Sequence, residues 1–304
     1  MTDLFNIEGW KHNQSGKVRE LFFPEEKIGS KLKRKFGCEV VLMVSSDRVS
    51  AFDHILSPEI PNKGKILTQM SEFWFSQLKN IVPNHFLSAD VNDFCLNDED
   101  RAKLDGRAMV CKKLQMIPVE CVARGFLTGS AYKEYQETGG YQEYSFPKGL
   151  EDGTKLDSPI FTPAMKAEVG EHDENVTFTE MSNRLEKEGF AANIAGRLRC
   201  LTLEIFEKAS EIAKTKGLTL VDTKFEFGLD PLTGEIILGD EVLTPDSSRY
   251  WNQDKQSFDK QFVRNWLKND SGWSTSSDQE PPALPSDIVE KTSKLYQNLE
   301  DKFI

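Results

Sequence analysis

Three charged residues at alternate positions of one predicted β-strand could carry out chemistry. Asp222, Lys224 and Glu226 alternate with apolar side chains over residues 220–228, which is the period of a half-buried strand. A segment containing proline and glycine follows and predicts a turn. An apolar run after this turn predicts a second strand, which leads to Asp240. Carboxylates and a lysine are therefore expected on two neighbouring strands.

The register of the two strands decides whether the carboxylates meet. We expect a pairing in which Leu229 faces Glu235. Lys224 then lies opposite Asp240, and Glu226 becomes the diagonal neighbour of Asp240 on the same face. A shift by one residue would separate the two carboxylates, so the predicted site depends on this register.

Two carboxylates on adjacent strands repel each other unless a positive charge lies between them. Lys224 could supply part of that charge. A divalent cation is the other solution, because Mg²⁺ typically binds one or two carboxylates together with substrate phosphates. A solvated sheet face with alternating charges is the alternative. Gly239 favours a site, since glycine within a strand often marks the close approach of a ligand.

Two arginine-containing segments could bind anions. Directly after the second strand, Asp246, Ser248 and Arg249 combine a carboxylate, a hydroxyl and a planar guanidinium suited to phosphate. Earlier in the chain, Arg124 ends a predicted strand just before the glycine-containing loop that leads to Ser130 and a helix. That arrangement fits an anion site, and a plain surface charge on Arg124 is the alternative.

Two polar segments in the first fifth of the chain are further candidates. Gly16 precedes Lys17, Val18 and Arg19 at the start of a predicted strand. Glycine lets the backbone approach a phosphate and the basic side chains can reach its oxygens, although an exposed hairpin would look the same. Residues 45–54 form a polar loop after a buried strand, a common place for ligands, with Asx and Ser turns as the alternative.

Composition excludes several classes of function. The chain has 304 residues, of which 38% are hydrophobic and 29% charged, which fits one large folded domain or two joined ones. A net charge of −11 argues against nucleic acid and anionic lipid as partners. The five cysteines are scattered and form no CxxC pair, so we expect neither disulfides nor a zinc site. With no membrane-length apolar run and no signal-peptide pattern, we expect a cytoplasmic protein.

Apolar periodicity predicts the elements that must position these residues. Continuous or alternating apolar runs predict strands over residues 38–45 and 108–124, the latter interrupted near Pro118. Helical spacing predicts helices over residues 67–81, over residues 194–212 and from about residue 285 onward. The region from His85 to Asp105 is expected at the surface.

Four separated segments match the sequence motifs of one protein family and occur in the same order. They are residues 16–22 (GKVRELF), residues 46–53 (SDRVSAFD), residues 118–125 (PVECVARG) with Gly129 and Ser130, and residues 221–249, which end in LGDEVLTPDSSR. With these motifs the chain closely resembles the SAICAR synthetase family, the phosphoribosylaminoimidazole-succinocarboxamide synthases of de novo purine synthesis. The likeness spans nearly the whole chain. Its length and residues 162–174 look like the single-function form found in fungi, and a long tail follows Trp251.

The resemblance implies both the reactants and the architecture. The reactants would be ATP, Mg²⁺, carboxyaminoimidazole ribonucleotide and L-aspartate. We also expect a monomer, with neither nucleic acid nor a membrane as a partner. An α+β fold of two lobes is implied, with an antiparallel β-rich lobe over residues 1–116 that binds ATP. A mixed α/β lobe over residues 117–304 would carry the metal and substrate sites, and the active site would lie between the lobes.

The resemblance also implies roles for individual residues. Lys224 is implied in catalysis, with Asp222 as its support or as a proton acceptor. Contacts with ATP are implied for Gly16, Lys17, Val18, Arg19, Met116 (at the adenine), Glu226 and Asp240, the last two also as ligands of Mg²⁺. Binding of the phosphate and carboxylate of the substrate is implied for Arg124, Ser130, Ser248 and Arg249, with Asp246 near the ribose. Lys166, Asp173, Asp47 and Asp53 are implied in the substrate or aspartate pocket.

Two other readings compete with this one. An inositol-phosphate kinase relative would share the fold and the strand-borne Asp-x-Lys pair, here Asp222 and Lys224, but its substrate requires a broad basic pocket that the acidic composition disfavours. A nucleotide-sensing binding module would not require the density of acids and bases that surrounds Glu226. Replacement of Glu226 by glutamine separates binding from catalysis.

Overall fold

The part of the chain that the structure describes folds into a five-stranded and an eight-stranded antiparallel sheet, two two-stranded sheets, and helices that pack on them. The structure is a computed structural model that describes residues 6–167, 173–274 and 279–304. Its helices are α1 Glu26–Phe36, α2 Lys63–Leu78, α3 Asp98–Leu104, α4 Ser130–Thr138, α5 Phe178–Lys187, α6 Ile194–Thr215, α7 Gln261–Asn269 and α8 Ser286–Phe303, with a 3₁₀ turn at Val91–Asp93. None of the helices within these ranges is long and apolar enough to span a bilayer.

The strands fall into a first group before residue 113 and a second group after it. The first group is β1 Trp10–Ser15, β2 Arg19–Pro24, β3 Val40–Ser45, β4 Val49–Ala51, β5 His54–Leu56, β6 Phe86–Ser88 and β7 Ala108–Lys112. The second group is β8 Gln115–Met116, β9 Val119–Leu127, β10 Gly140–Tyr141, β11 Tyr144–Ser145, β12 Thr154–Phe161, β13 Ala164–Met165, β14 Glu174–Asn175, β15 Thr219–Leu229, β16 Ile236–Gly239 and β17 Ser248–Trp251. The predicted α+β class is confirmed.

The first sheet has the strand order β1-β2-β3-β7-β6. Its strands alternate between buried apolar side chains, such as Phe22 and Leu42, and side chains that point to the opposite face. The buried face packs on α1 through Leu32, which is fully buried in the same apolar cluster. The opposite face, which carries Leu21 and Met43, contributes to the main core and to a cleft.

The second sheet is built around β9 and β15, which run antiparallel with Asp222 opposite Arg124. Strands β12 and β13 flank β9, whereas β8, β16 and β17 pair with β15. One face of β15 presents Phe225 and Phe227 to the apolar side of α6, and these residues share one core with Ile205. Because side chains alternate along a strand, the charged residues of β15 point away from α6.

The register of β15 and β16 differs from the predicted one by one residue. Leu229 pairs with Ile236, and Glu226 pairs with Gly239. The predicted register is wrong because the turn is tighter than expected: the Asp230 amide donates to the carbonyl of Glu235 at 2.9 Å, so these two residues face each other. The Asp230 carboxylate also accepts from an amide within the turn at 2.8 Å, which stabilises this shorter loop.

The expected consequence of such a shift, separation of Glu226 from Asp240, does not occur. Strand β16 ends at Gly239, and Asp240 adopts a left-handed backbone conformation with φ of 55°. This conformation is uncommon for a residue with a side chain. It takes Asp240 out of the alternation of the strand and directs its carboxylate to Lys224, which also contacts Glu226.

The two sheets are joined at the segment formed by residues 83–85. The amide of Leu238 in β16 donates to the carbonyl of Pro83 at 2.9 Å, and the amide of His85 donates to the carbonyl of Leu238 at 3.0 Å. On the other side, the amide of Lys112 in β7 donates to the carbonyl of His85 at 2.7 Å. This segment, which we call the seam, therefore hydrogen-bonds to both sheets.

The tail after Trp251 packs back onto the body of the protein. Helix α8 lies against α2, where the rings of Trp74 and Phe303 are 5.0 Å apart. Phe303 also contacts Tyr250 of β17 with a ring separation of 5.6 Å. Helix α7 packs with the β4–β5 hairpin in a separate apolar cluster that includes Val263 and Val49. The tail is thus an integral part of the fold.

Candidate active site

A single cleft gathers nearly all of the residues that the sequence singled out. Its volume is about 2390 Å³, and it is lined by the open face of the first sheet, the charged face of β9 and β15, and the tail. Of the predicted site residues, the cleft is lined by Gly16, Lys17, Val18, Arg19, Asp53, Met116, Arg124, Ser130, Lys166, Asp173, Asp222, Lys224, Glu226, Asp240, Asp246, Ser248 and Arg249. Asp47 is the predicted residue that does not line it.

Lys224 forms the centre of the cleft floor. Its Nζ lies 2.5 Å from Glu226, 3.1 Å from Asp240 and 3.5 Å from Glu120. Lys166, which follows β13, forms a second ion pair with Glu226. The ammonium groups thus occupy the space between the carboxylates and offset the repulsion that two neighbouring acids would otherwise experience.

Arg19 extends this network from the first sheet. Its guanidinium lies 2.9 Å from Asp240 and 2.8 Å from Glu241. The hydroxyl of Thr244 donates to the Glu241 carboxylate at 2.6 Å, which fixes that side chain. Together with Glu120 and Glu226, these acids outnumber the cations Arg19, Lys166 and Lys224 by one. The charged floor of the cleft therefore retains a net negative charge that can accept a further cation.

The contacts within this network favour the charged forms of Lys224 and Asp240. Burial opposes the charge of Lys224, but Glu226 and Asp240 outweigh it, and the pKa of the lysine lies well above its ordinary value. Burial likewise opposes the charge of Asp240, but Arg19 and Lys224 outweigh it and hold the pKa of this carboxyl far below its ordinary value. Lys224 is thus a fixed positive charge and does not act as a base near neutral pH.

Glu226 and Asp240 are the carboxylates that fit a magnesium ion. Each presents oxygens to the same cationic centre at Lys224, and both line the open cleft. Within residues 6–167, 173–274 and 279–304 there is no cluster of three or more acidic, histidine or cysteine side chains that would enclose a metal. Two carboxylates without a third protein ligand suit Mg²⁺, which completes its shell with phosphates and water.

Two arginines and Asp222 form a cationic wall beside this centre. Asp222 lies 3.3 Å from Arg124 and 3.7 Å from Arg249. Asp222 was expected to support Lys224, and the structure instead pairs its carboxylate with these two arginines, whose position it can hold. The side chain of Ser248 is fixed by the hydroxyl of Thr223 at 2.7 Å. The arginines and Ser248 together offer donors for an anion.

Gly129 allows the arginine wall to reach the start of α4. A Cβ atom at this position would lie 3.0 Å from Nη2 of Arg249, and the φ of 63° also disfavours a side chain. Ser130 begins α4 directly after it. Close packing of a guanidinium on the backbone therefore explains why glycine precedes Ser130.

The loop at Gly16 is built as a tight turn over the first sheet. The amide of Gly16 donates to the carbonyl of Arg19 at 2.7 Å. Arg48 donates to the carbonyl of Gly16 at 3.2 Å and to the buried carboxylate of Glu20 at 2.5 Å, which fixes the turn from below. At its tip, Lys17 forms an ion pair with Asp53 across the cleft. Both side chains are accessible to a ligand.

An apolar slot lies at the end of the cleft near Met116. This methionine is 42% exposed and lines the cleft, so its side chain is accessible to a ligand. Its Sδ would lie 3.5 Å from a Cβ at Gly239, so the absent side chain at that position keeps the slot open. Opposite Met116, the first sheet contributes Val41 and Met43 to the lining.

Asp246 and Asp47 are both held by contacts within the protein, and Asp47 lies outside the cleft in which it was expected. The Asp246 carboxylate is buried, with Lys63 at 2.6 Å and the hydroxyl of Tyr296 at 2.7 Å. It borders the cleft, and its place near the ribose stays a prediction. Burial opposes the charge of Asp246, but Lys63 and Lys260 outweigh it, with a smaller contribution from Tyr296, and the pKa of this carboxyl lies far below its ordinary value. Asp47 accepts from the amide of Gly64 at 2.8 Å and braces the start of α2 outside the cleft.

Asp173 also engages the backbone near the cleft. Its carboxylate accepts from the amide of Ala167 at 3.1 Å, which ties it to the segment that carries Lys166. The predicted fungal-like segment over residues 162–174 falls partly outside the described residues, since 168–172 are not among them.

Several cleft residues were missed by the sequence analysis. His85 was expected at the surface, yet it is only 3% exposed and borders the cleft, and burial lowers its pKa to about 4. His85 lies in the seam because it hydrogen-bonds to β16 and to β7, and no local sequence pattern indicates these contacts. Glu120 and Glu241 are parts of motifs that were recognised, and Lys260 and Arg264 come from the tail. Lys260 and Arg264 are four residues apart, the spacing of neighbours on one face of a helix, and this spacing could have indicated them.

Comparison with known proteins gives a consistent result. The family model described as SAICAR synthetase matches residues 13–280. The chain is 47% identical to the phosphoribosylaminoimidazole-succinocarboxamide synthase of Streptomyces coelicolor and 50% identical to that of Corynebacterium diphtheriae, covering 95% of this chain and 92% of each relative. The structure of the SAICAR synthase from Saccharomyces cerevisiae complexed with SAICAR superposes with a TM-score of 0.79 and 33% identity, covering 100% of this chain and 98% of the yeast chain. The chain belongs to the SAICAR synthetase family.

Proposed function

We propose that the chain is an ATP-dependent ligase that joins L-aspartate to the carboxylate of carboxyaminoimidazole ribonucleotide. The products are the succinocarboxamide, ADP and phosphate, and the reaction belongs to de novo purine synthesis. Membership of the SAICAR synthetase family supports this activity. The observation that carries it is the pairing, in one cleft, of the acid–lysine centre at Lys224 with the arginine wall of Arg124 and Arg249.

The chemistry explains why both parts are required. A carboxylate is a poor acyl donor because its leaving group would be an oxide. Transfer of the γ-phosphoryl group of ATP to a carboxylate oxygen gives an acyl phosphate, and the amine of aspartate can then attack the carbonyl carbon and release phosphate. Phosphoryl transfer depends mainly on positioning and neutralisation of charge. The acid–lysine centre suits the nucleotide phosphates, and the arginine wall suits the sugar phosphate of the acceptor.

We assign the nucleotide to the side of the cleft formed by the first sheet. The Gly16 turn with Lys17, Val18 and Arg19 would contact the phosphates, and the slot at Met116 would hold the adenine. Glu226 and Asp240 would hold Mg²⁺, which neutralises the negative charge of the phosphates when it is bound. Lys224 remains protonated and would stabilise the charge that develops on the transferred phosphoryl group.

We assign the ribonucleotide and aspartate to the opposite side. Arg124, Ser130, Ser248 and Arg249 would bind the phosphate and carboxylate of the ribonucleotide, because they offer fixed donors at one wall. Asp222 would orient the two arginines. Lys166, Asp173 and Asp53 border the remaining space and are the proposed contacts of aspartate. The lobe division near residue 116, a monomeric state and a cytoplasmic location remain predictions.

An isotope-transfer experiment tests the proposed acyl phosphate. The carboxylate of the ribonucleotide is labelled with ¹⁸O, the reaction is run to completion with ATP and aspartate, and the released phosphate is examined by mass spectrometry. We expect one ¹⁸O atom in the phosphate, because the bond between carbon and that oxygen breaks when the amine attacks. Phosphate without the label would contradict the mechanism.

The inositol-phosphate kinase reading is not favoured, because the family match covers most of the chain. A nucleotide-binding module without activity is tested by the same assay. Such a module would bind ATP but would release no phosphate in the presence of the ribonucleotide and aspartate.

A further inference from the structure

We propose that His85 is a positioning residue for the magnesium–nucleotide site, which acts by holding Asp240 in its left-handed conformation. The inference rests on the proposed function in one respect, namely that Asp240 contacts the magnesium ion of the nucleotide. It adds a residue to the site that does not itself touch the metal or the phosphates.

The contact between His85 and Asp240 has a defined direction. Nε2 of the imidazole lies 3.1 Å from the backbone carbonyl oxygen of Asp240. A carbonyl oxygen can only accept a hydrogen bond, so Nε2 must carry the hydrogen. The neutral tautomer protonated at Nε2 is sufficient for this bond.

The Asp240 carbonyl lies where the sheet no longer provides a donor. Strand β16 ends at Gly239, and its pairing with β15 runs from Ile236 opposite Leu229 to Gly239 opposite Glu226. A φ of 55° at Asp240 is strained for a residue that has a side chain. A strained conformation persists only where its surroundings hold it, and the imidazole of His85 is a donor that does so.

The position of the imidazole is itself fixed by both sheets. The His85 amide donates to Leu238 of β16 at 3.0 Å, and the His85 carbonyl accepts from Lys112 of β7 at 2.7 Å. The ring packs edge-on against Phe75 of α2 with a centroid separation of 5.3 Å. The residue is 3% exposed, so solvent does not compete strongly for its hydrogen bond.

Loss of this donor should weaken binding of the magnesium–nucleotide complex more than binding of the metal-free nucleotide. Without it, the Asp240 backbone can relax, and its carboxylate would move away from Lys224 and from Glu226. The contribution of the metal to nucleotide affinity would fall, whereas contacts of the adenine slot at Met116 would remain. A general structural defect would instead weaken binding of ADP with and without the metal.

The test compares His85→Leu with His85→Gln by isothermal titration calorimetry with ADP, once with Mg²⁺ and once with EDTA. Glutamine places an amide donor at the position of the imidazole Nε2, whereas leucine fills similar space without a donor. Loss of one such hydrogen bond corresponds to an affinity change of up to about tenfold. We expect His85→Leu to weaken binding of Mg·ADP by about tenfold and metal-free ADP by less than about twofold, and His85→Gln to stay within about threefold of the unsubstituted protein for both.

A double-mutant cycle with Asp240→Asn gives the second readout. If His85 acts through Asp240, adding His85→Leu to Asp240→Asn should change Mg·ADP affinity by less than about twofold. Thermal unfolding without ligand confirms that each variant is folded. If His85→Leu does not fold, His85→Asn replaces it, because the shorter amide cannot reach the carbonyl.

Three results would overturn the inference. They are unchanged Mg·ADP binding in His85→Leu, an equal loss of affinity with and without Mg²⁺, and an additive cycle. Failure of the unsubstituted protein to bind Mg·ADP would instead contradict the proposed function, so the two failures are distinguishable.

Discussion

Replacement of Glu226 by glutamine is the perturbation that tests the active site most directly. The substitution removes one negative charge and keeps the size of the side chain. In the structure, the Glu226 carboxylate is 7% exposed and accepts from Lys224 at 2.5 Å as well as from Lys166. It is also one of the two proposed magnesium ligands. The change therefore acts on the neutralisation of charge that phosphoryl transfer requires.

The expected effect on turnover is large and the effect on folding is small. Removal of one preorganised charge contact typically raises the activation free energy by about 3–4 kcal/mol, so we expect kcat to fall by about 10²–10³-fold. Folding should tolerate the change, because Lys224 keeps Asp240 and Glu120 as partners. Lys166 loses its ion pair with Glu226, but its side chain is 38% exposed and can be hydrated instead. We expect the free energy of unfolding to change by less than about 2 kcal/mol.

The assay measures phosphate release with saturating ribonucleotide and aspartate as a function of the Mg·ATP concentration. Glu235→Gln provides a matched control, because this glutamate lies in the turn of the same hairpin and is exposed. We expect the control to retain the kcat of the unsubstituted enzyme. Urea denaturation of both variants separates a loss of catalysis from a loss of fold.

A kcat of Glu226→Gln within about threefold of the unsubstituted value would refute the reasoning. It would mean that the carboxylate neither holds the metal nor balances the lysines during phosphoryl transfer. A fall of equal size in the Glu235→Gln control would be just as damaging, since it would show that any loss of charge in the hairpin has this effect.

Three further predictions concern contacts that stabilise the segments around the cleft. Tyr296→Phe leaves one oxygen of Asp246 without its donor, and we expect urea denaturation to show a free energy of unfolding lower by about 1–3 kcal/mol. The folded-state pKa of Asp246 is lowered, so its charge stabilises the fold above the unfolded pKa of about 3.9, and this contribution is lost as the pH falls through the folded value. The stability deficit of Asp246→Asn should therefore be full at pH 7 and shrink only below about pH 4, as urea titrations across this range would show. A Cβ at Gly64 would lie 2.4 Å from the carbonyl oxygen of Ser45, so Gly64→Ala should lower the melting temperature, with an overpacking cost of about 1–3 kcal/mol.

Local patterns predicted the strands and the chemistry of the site because both depend on the order of residues. The alternation of Asp222, Lys224 and Glu226 with apolar residues places these side chains on one face whatever the partner strand does. The strand expected over residues 220–228 is observed as Thr219–Leu229, and the helix expected over residues 194–212 as Ile194–Thr215. The family motifs added the arginines and the loop at Gly16.

The remaining features depend on interactions between distant segments. The register was missed because the hydrogen bonds of Asp230 choose between two turns of nearly equal plausibility. The contacts of Asp246 could not be predicted, since an aspartate next to two serines looks alike whether or not Lys63 and Tyr296 approach it. His85 was misplaced because nothing in its neighbourhood indicates that β16 pairs with the segment beside it.

The ion pair between Lys63 of α2 and Asp246 of the loop after β16 has a consequence for folding during translation. Tyr296, which completes this pair, lies in α8 and follows every other element of the cleft in the chain. During translation, the segments that carry Lys63 and Asp246 therefore leave the ribosome before the helix whose Tyr296 donates to Asp246. The loop after β16 would therefore gain its full set of contacts at Asp246 only once α8 has docked.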